Sequence, residues 1–524
     1  MLYYKLPPMA IASSFTPSAP QAGSCSLAVI SPPSIPGGQI LDLSAIPVLN
    51  YHQDDRSEID FCNVTVTYTH PGRNDSIHVT VWLPLENWNH RLQGSGGSGY
   101  AARSEDAVLA AAVAQSYTVA ATDGGHEVNG FSSETWSLDA SRNLNIALLE
   151  DFAYLALNDA AIIGKQVTTS FYGQAPRFSY WNGCSTGGRQ GLMLAQRYPS
   201  AYNGILAVAP GVNWPSFVVS QFWPQFVMNR LNTWPSSCIT DATTAAAIKE
   251  CDEIDGVLDS VISLPELCEF DPFVLVNTTV DCNGETVIVS ENDVLVVQST
   301  WTGMVSSDGL LLWYGLEKGT PLSMGESSLV HTMCSALNCT GAPFPIATDW
   351  ISRLVLHNPS ANLTALDHAG LDAIFARSKE DFDDIMGTAN PDLMAFKNAG
   401  GKMITWHGLS DQLIPPRGTE QYYKQVEDKD PLVSDFYRLF GAPGVHHCGG
   451  GVGPVPIDPL QYVVDWVENG IAPDTLEAVS ASGWRRKLCP YPLVSVYKGG
   501  DIKDAGSYEC EDGFDISSQI TFKS

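Results

Sequence analysis

Hydrophobic and polar positions alternate along VTVTY at 64–68 and again along IHVTVWL at 77–83, with the turn-forming segment PGRND between them. Period-two alternation on either side of a proline-glycine turn predicts two antiparallel strands. The pattern then changes period. Ser104 precedes EDAVLAAAVAQ, a run with helical spacing whose first turn that serine can cap. A strand YTVAATD, a helix near 145–165, a strand RFSYWNG ending at Gly183, a helix through GGRQGLMLAQRYP and a buried strand ILAVAP follow in turn. Strands that alternate with helices predict an α/β fold on a largely parallel sheet.

From 211 to 397 the alternation fails. Tryptophan, proline and cysteine are frequent there, and neither period dominates. The strand pattern returns with KMITWHG at 402–408, then a helix from Arg417 to about Glu427, a strand FYRLF and a helix PLQYVVDWVENG whose Gly470 suits a C-terminal cap. At 524 residues the chain exceeds one simple core. The expected organisation is an N-terminal segment 1–54, a first core part 55–210, a lid domain inserted at 211–397 and a second core part 398–524.

Charge narrows the partners. Lys and Arg number 28 against 57 Asp and Glu, a net charge of -29, which repels nucleic acid and anionic membranes alike. No run of about 18 apolar residues exists to span a bilayer. The 12 cysteines lack the repeated C-x-x-C pairs of zinc modules and read as disulfides. Proximity suggests Cys25–Cys62, Cys251–Cys268, Cys334–Cys339 and Cys489–Cys510, leaving Cys238–Cys282 by elimination, although twelve cysteines permit many other pairings. Sequons at Asn63, Asn74, Asn277, Asn338 and Asn362 agree with a secretory route. Pro7 and Pro8 interrupt the N-terminal apolar run, so an extracellular chain would need an atypical leader.

Chemistry concentrates at Gly183-Cys184-Ser185-Thr186-Gly187. G-x-S-x-G after a strand and before a helix places a serine hydroxyl on a sharp, exposed turn. That hydroxyl needs a histidine to take its proton and a carboxylate to orient the histidine, and hydrolases of this architecture supply them in the order Ser, Asp, His. Asp411 follows the strand at 402–408 and His447 follows FYRLF, in that order. Read singly, Asp411 is also a good turn or cap residue, and a histidine in a glycine-rich loop is usually structural. His446 competes with its neighbour; His447 is preferred because it adjoins Cys448, and a disulfide between Cys184 and Cys448 would hold nucleophile and base together. The oxyanion of ester attack needs aimed donors. The N–H of Thr186 is one candidate, and Gly96 or Gly97 in QGSGGSGYAA at 93–102 is the other.

A second constellation is CDEIDGVLDSV at 251–261. Asp252, Asp255 and Asp259 offer hard oxygens, and the carbonyls of Val257 and Val261 could complete a calcium shell. The spacing is not that of an EF-hand, and an acidic turn in so acidic a chain also reads as a solvated loop.

Together GCSTGGRQG, HGLSDQLIPP and HHCGGG resemble the tannase and feruloyl esterase family, fungal branch, and CDEIDGVLDSVI resembles its calcium loop, with Ser260 where glycine is usual. The resemblance spans about 55–510. It implies an α/β-hydrolase fold with an inserted lid, a Cys184–Cys448 disulfide, and a structural calcium held by Asp252, Asp255, Asp259 and the carbonyls of Val257 and Val261, without an organic cofactor. It also implies a secreted enzyme whose Ser185, His447 and Asp411 release hydroxycinnamic acids such as ferulic acid from plant cell-wall polysaccharide, with galloyl esters as the alternative substrate. A secreted serine peptidase and an inactive calcium-stabilised binding glycoprotein are the rival readings. Trp214, Trp223, Trp234, Trp301 and Trp313 could stack on a phenolic ring, but most should be core.

Overall fold

Strand pairing organises the chain around one nine-stranded mixed sheet. Its members are β1 (Gln39–Tyr51), β2 (Ile59–Thr69), β3 (Ile77–Pro84), β4 (Arg91–Ser95), β5 (Thr118–Thr122), β6 (Phe178–Cys184), β7 (Gly204–Val208), β8 (Lys402–Gly408) and β9 (Tyr437–Ala442). Their order across the sheet is β1-β2-β3-β5-β4-β6-β7-β8-β9. Pairs from β1 to β5 are antiparallel, and those from β5 through β4 to β9 are parallel. This is the sheet of an α/β hydrolase. The computed structural model describes residues 25–52, 58–335 and 338–513; the N-terminal leader reading lies outside them.

Parallel strands need crossovers, and helices supply them: α1 (Asp106–Ala114), α2 (Ala156–Tyr172) and α3 (Thr186–Arg197) link successive strands from β4 to β7. The central strands are buried along their whole length, as strands covered on both faces should be. One face packs Leu109, Val119, Leu206 and Val463, and the other Leu157, Leu192, Ile205 and Tyr422.

Three expectations change. The sheet begins before residue 55, because β1 pairs with β2 along most of its length. That strand is an exposed edge with Pro47 inside it, which edge position tolerates and which hides it from pattern reading. Ser104 does not cap α1: its hydroxyl donates to the Gly96 carbonyl, and Glu105 occupies the cap position without a side-chain bond. The helix expected to end near 165 runs on to Tyr172, after Asn145 caps a first short turn and a π-helical turn at Asp151–Leu155.

Between β7 and β8, adjacent in the sheet, the chain leaves for almost two hundred residues. That excursion is largely helical, with α4 (Trp214–Ser220), α5 (Ser237–Cys251), α6 (Glu291–Thr302) and α7 (His368–Met386). These helices pack around Trp214, Phe222, Val297, Trp350 and Phe382, so apolar residues are spread around their circumference and blur the helical period. After β8, α8 (Pro416–Lys429) leads to β9, and α9 (Pro459–Asn469) ends at Gly470 in the left-handed conformation, as its C-cap should.

All six disulfides suggested by the sequence are formed: Cys25–Cys62, Cys184–Cys448, Cys238–Cys282, Cys251–Cys268, Cys334–Cys339 and Cys489–Cys510. Among the described residues no helix is long and apolar enough to cross a membrane.

Candidate active site

One residue separates β6 from α3. Ser185 takes φ +62° and ψ -122°, a conformation that side-chain-bearing residues rarely adopt. Its N–H donates to Val208 O at 3.0 Å, and its carbonyl accepts from Arg189 N at 2.9 Å, so sheet and helix both hold the turn. Glycine at 183 is obligatory, since a Cβ there would stand 2.6 Å from the Gly187 carbonyl.

The carboxylate and the base follow β8 and β9, beyond β7 in the sheet. Asp411, fully buried in the turn after β8, accepts from Leu413 N at 2.8 Å and Ile414 N at 2.9 Å through Oδ1. Its Oδ2 lies 2.7 Å from His447 Nδ1. Burial alone would raise the Asp411 pKa, but His447 and His407 outweigh it and hold the carboxyl well below its ordinary value. An ionised Asp411 keeps a proton on His447 Nδ1 and leaves Nε2 free to accept one. The backbone N–H of His447 is held by Gln412 Oε1 at 3.0 Å, so consecutive residues of one turn fix both its ring and its main chain.

The Cys184–Cys448 disulfide joins the residue before Ser185 to the residue after His447, with Cα atoms 5.8 Å apart. Nucleophile and base thus sit on backbones tied across 264 positions of sequence. His446, the competitor, makes no contact with Asp411 of the kind His447 makes, and burial lowers its pKa.

The expected oxyanion donors part company. Thr186 is the first residue of α3, and its N–H has no intrahelical acceptor. Gly96 and Gly97 do not fit the donor assignment: Gly96 N–H donates to Asn182 O at 3.1 Å and Gly97 N–H to Gln190 Oε1 at 2.9 Å. Their glycine character has another cause. A Cβ at Gly96 would lie 2.5 Å from Gly187 Cα, so the loop is glycine-rich to press against the start of α3. Gly97 O receives Gly187 N–H at 3.0 Å and Gly99 O receives the Thr186 hydroxyl at 2.6 Å.

In the segment following α5, the Asp252 carboxylate accepts from the backbone of Asp259, Ser260 and Val261. Asp255 Oδ2 is buried without a hydrogen bond, and among the described residues no hydrogen bond takes the carbonyls of Val257 or Val261. Burial raises the pKa of Asp259 to about 6 and that of Asp255 in the same direction, while Arg486 at 2.8 Å from Asp259 Oδ2 opposes it. Hard oxygens, a buried carboxylate oxygen without a hydrogen bond and free carbonyls fit a calcium ion, although Arg486 already stands 3.7 Å from Asp255 Oδ2. The three carboxylates do not all approach within 4.8 Å of one another, with Arg486 standing between Asp255 and Asp259. Ser260 has φ +65°, a left-handed conformation that glycine adopts without strain.

Two contributors were not anticipated. His407, at the end of β8, places Nε2 3.1 Å from the same Asp411 Oδ2. Gln190, one turn into α3, holds the 96–102 loop through Gly97 N–H and the Ala102 carbonyl. A spacing from Asp411 back to His407 was visible, but it does not reveal which way either side chain turns. Trp214, Trp223, Trp301 and Trp313 are buried in the core of the excursion and Trp234 packs against it, so the core reading holds for them. A cavity of about 330 Å³, bounded by His407, Arg417, Glu420, Leu439, Tyr491 and Leu493, reaches neither Ser185 nor His447.

Comparison with known proteins bears on the chain as a whole. Residues 62–511 match the family model described as tannase and feruloyl esterase. A probable feruloyl esterase of Arthroderma benhamiae is 40% identical over 506 residues, covering 93% of this chain and 94% of its own. The probable feruloyl esterase B-2 of Aspergillus terreus is 29% identical, covering 91% of each. Among solved structures, tannin acyl hydrolase from Aspergillus niger superposes with a TM-score of 0.85 at 26% identity, over 94% of this chain and 95% of that one. Feruloyl esterase B from Aspergillus oryzae gives 0.76 at 26% identity, over 91% and 97%.

Proposed function

Because the chain belongs to the tannase and feruloyl esterase family and is therefore a carboxylic ester hydrolase, we propose that it releases hydroxycinnamic acids such as ferulic acid from esters of plant cell-wall polysaccharide. Ser185 Oγ attacks the acyl carbonyl as its proton passes to His447 Nε2. The oxyanion takes the Thr186 N–H. The ester C–O bond breaks, the leaving alcohol takes the proton from His447, and the acyl group stays on Ser185. Water, deprotonated by the same nitrogen, then cleaves the acyl-enzyme and restores the serine. Asp411 stabilises the imidazolium formed in each half-reaction.

The observation that carries this reading is the 2.7 Å bond between Asp411 Oδ2 and His447 Nδ1 on the backbone that the Cys184–Cys448 disulfide ties to Ser185. The excursion between β7 and β8 is the lid and selects the acyl group. Six disulfides and the sequons support export and glycosylation. Asp252, Asp255, Asp259 and the carbonyls of Val257 and Val261 would hold a structural calcium, which would neutralise carboxylate charge in that part of the lid, while the tie from this loop to Arg486 is the direct ion pair of Asp259 and Asp255 with its guanidinium.

The feruloyl preference draws support from the names of the curated relatives, and the galloyl alternative from the superposition on tannin acyl hydrolase. Hydrolysis rates on methyl ferulate, methyl caffeate, methyl p-coumarate and methyl gallate separate them. Cinnamoyl esters should be cleaved fastest; a dominant gallate rate reverses the order, and cleavage of peptides alone removes the esterase reading. A fluorophosphonate should label Ser185, and a folded protein that never labels is the inactive glycoprotein.

A further inference from the structure

The turn between β2 and β3 brings a second group of titratable side chains against the helical segment that precedes α2. His70, Asp75, Asp151 and Asp159 are all buried there, with Asp151 fully so. His70 Nε2 lies 3.1 Å from Asp159 Oδ2, which also accepts from the Tyr68 hydroxyl at 3.1 Å. The other ring nitrogen, Nδ1, faces Asp75 Oδ2 at 2.6 Å and Asp151 Oδ1 at 3.9 Å. Asp75 is held by its second oxygen, which accepts from Thr69 Oγ1 and His70 N at 2.7 Å each.

Asp151 is the unexplained member. Both of its oxygens are buried and neither has a hydrogen-bond partner. Arg73 compensates only in part: its NH2 donates to Glu150 at 2.7 Å, and its guanidinium stands 3.9 Å from Asp151 Oδ1 and 4.0 Å from Asp75 Oδ2, within ion-pair reach but hydrogen-bonded to neither. Four carboxylates, Asp75, Glu150, Asp151 and Asp159, therefore face at most two positive side chains. Buried carboxylates without hydrogen bonds or partners are rare because the desolvation is uncompensated. His70, Asp75 and Asp151 each bring one ligand atom within 4.8 Å of the others, with Arg73 to one side and, among the described residues, no cation hydrogen-bonded to Asp151.

We propose that these three atoms bind a divalent cation of the zinc class. One imidazole nitrogen and two carboxylate oxygens suit such an ion better than calcium, which takes oxygen ligands in larger number. The imidazole is already arranged as a ligand, since its other ring N–H is directed at Asp159, the outer carboxylate that metal-bound histidines usually have. The ion's effect is structural. It clasps the β2–β3 turn to the π-helical turn at Asp151–Leu155, whose Phe152 and Ala153 carbonyls in turn receive the Arg189 guanidinium from α3.

Crystals of the full-length protein soaked in millimolar zinc chloride, with anomalous data collected at the zinc edge, test this directly. The expected result is a peak about 2 Å from His70 Nδ1 and from one oxygen each of Asp75 and Asp151. In solution, zinc added to chelator-treated protein should raise the melting temperature by several degrees for the wild type and for Asp259→Asn, whose change lies in the 252–261 loop. It should not do so for Asp151→Asn. Should Asp151→Asn fail to fold, the anomalous map of the wild type decides alone. A map without a peak at this position, or an equal zinc-induced shift in Asp151→Asn, overturns the proposal and leaves a proton shared between Asp75 and Asp151 as the source of the missing charge.

Discussion

His407 Nε2 stands 3.1 Å from Asp411 Oδ2, the oxygen that also receives His447 Nδ1. Its ring is oriented from the other side by Thr419 Oγ1, 2.9 Å from Nδ1. Asp411 is thereby positioned by a second, buried histidine. A hydrogen bond to a charged group contributes about 1.5–3 kcal/mol, so His407→Ala should lower kcat about 10- to 100-fold. KM on methyl ferulate should change little. His407→Gln, which keeps a donor near the same place, should recover part of the loss; equal loss in both variants would mean that packing alone matters.

Replacing Cys184 and Cys448 together by alanine should leave the fold and separate Ser185 from its base. Positioning of reacting groups is worth large factors, and a misplacement of 1 Å costs about 10²-fold. Steady-state kinetics should show that fall in kcat, while circular dichroism stays near that of the parent.

Glu420 lines the cavity beside His407, near Glu317 and Glu266. Burial first, then those two carboxylates, push its pKa up to about 6. The folded chain thus holds a proton that the unfolded chain releases nearer 4.5, so stability contributed at this site falls as pH rises from about 4.5 through 6. A shift of this size amounts to about 1–2 kcal/mol. Glu420→Gln should melt at a temperature that depends less on pH between 5 and 7.5, and should be the more stable of the two at pH 7.5.

Arg189 is fully buried with no carboxylate partner among the described residues, donating to the carbonyls of Phe152 and Ala153 at 3.3 and 3.1 Å and lying over the rings of Phe152 and Trp214. Arg189→Met keeps most of the volume but removes the hydrogen bonds to the Phe152 and Ala153 carbonyls and to Thr388 Oγ1. A hydrogen bond from a charged group contributes roughly 1.5–3 kcal/mol, so the variant should unfold at clearly lower denaturant, measured by intrinsic fluorescence.

Ser185→Gly should abolish turnover yet unfold no sooner than the parent. The φ of +62° strains a serine and not a glycine, and relief of such strain, less the greater entropy loss of glycine, leaves a gain of about 1 kcal/mol. Thermal melts of the two proteins check the sign.

The parts of the site that were legible in the sequence are those whose function follows from local position. Ser185 sits where a strand meets a helix, and Asp411 and His447 each follow a strand pattern, so the turn chemistry of each segment announced it. The Cys184 and Cys448 neighbours added a distance constraint that no periodicity contains. Gly96 and Gly97 misled because a glycine-rich loop looks the same whether its amides are free or engaged, and the groups that engage them, Asn182 and Gln190, are more than eighty residues away. His407 was invisible for a related reason: it points at Asp411 only because the turn folds back. The helices of the excursion were hidden by burial on several sides at once, which removes the polar face that marks a helix.

The disulfide joining Cys184 to Cys448 also closes a covalent ring that contains Ser185, Asp411, His447 and the whole excursion between β7 and β8. No other disulfide bridges the inside of that ring to the outside. Tension applied to the two ends of the chain therefore passes from Cys184 to Cys448 through sulfur and never enters the loop, so pulling the molecule in a force spectrometer should extend the flanks and leave the ring untouched until a reductant opens it.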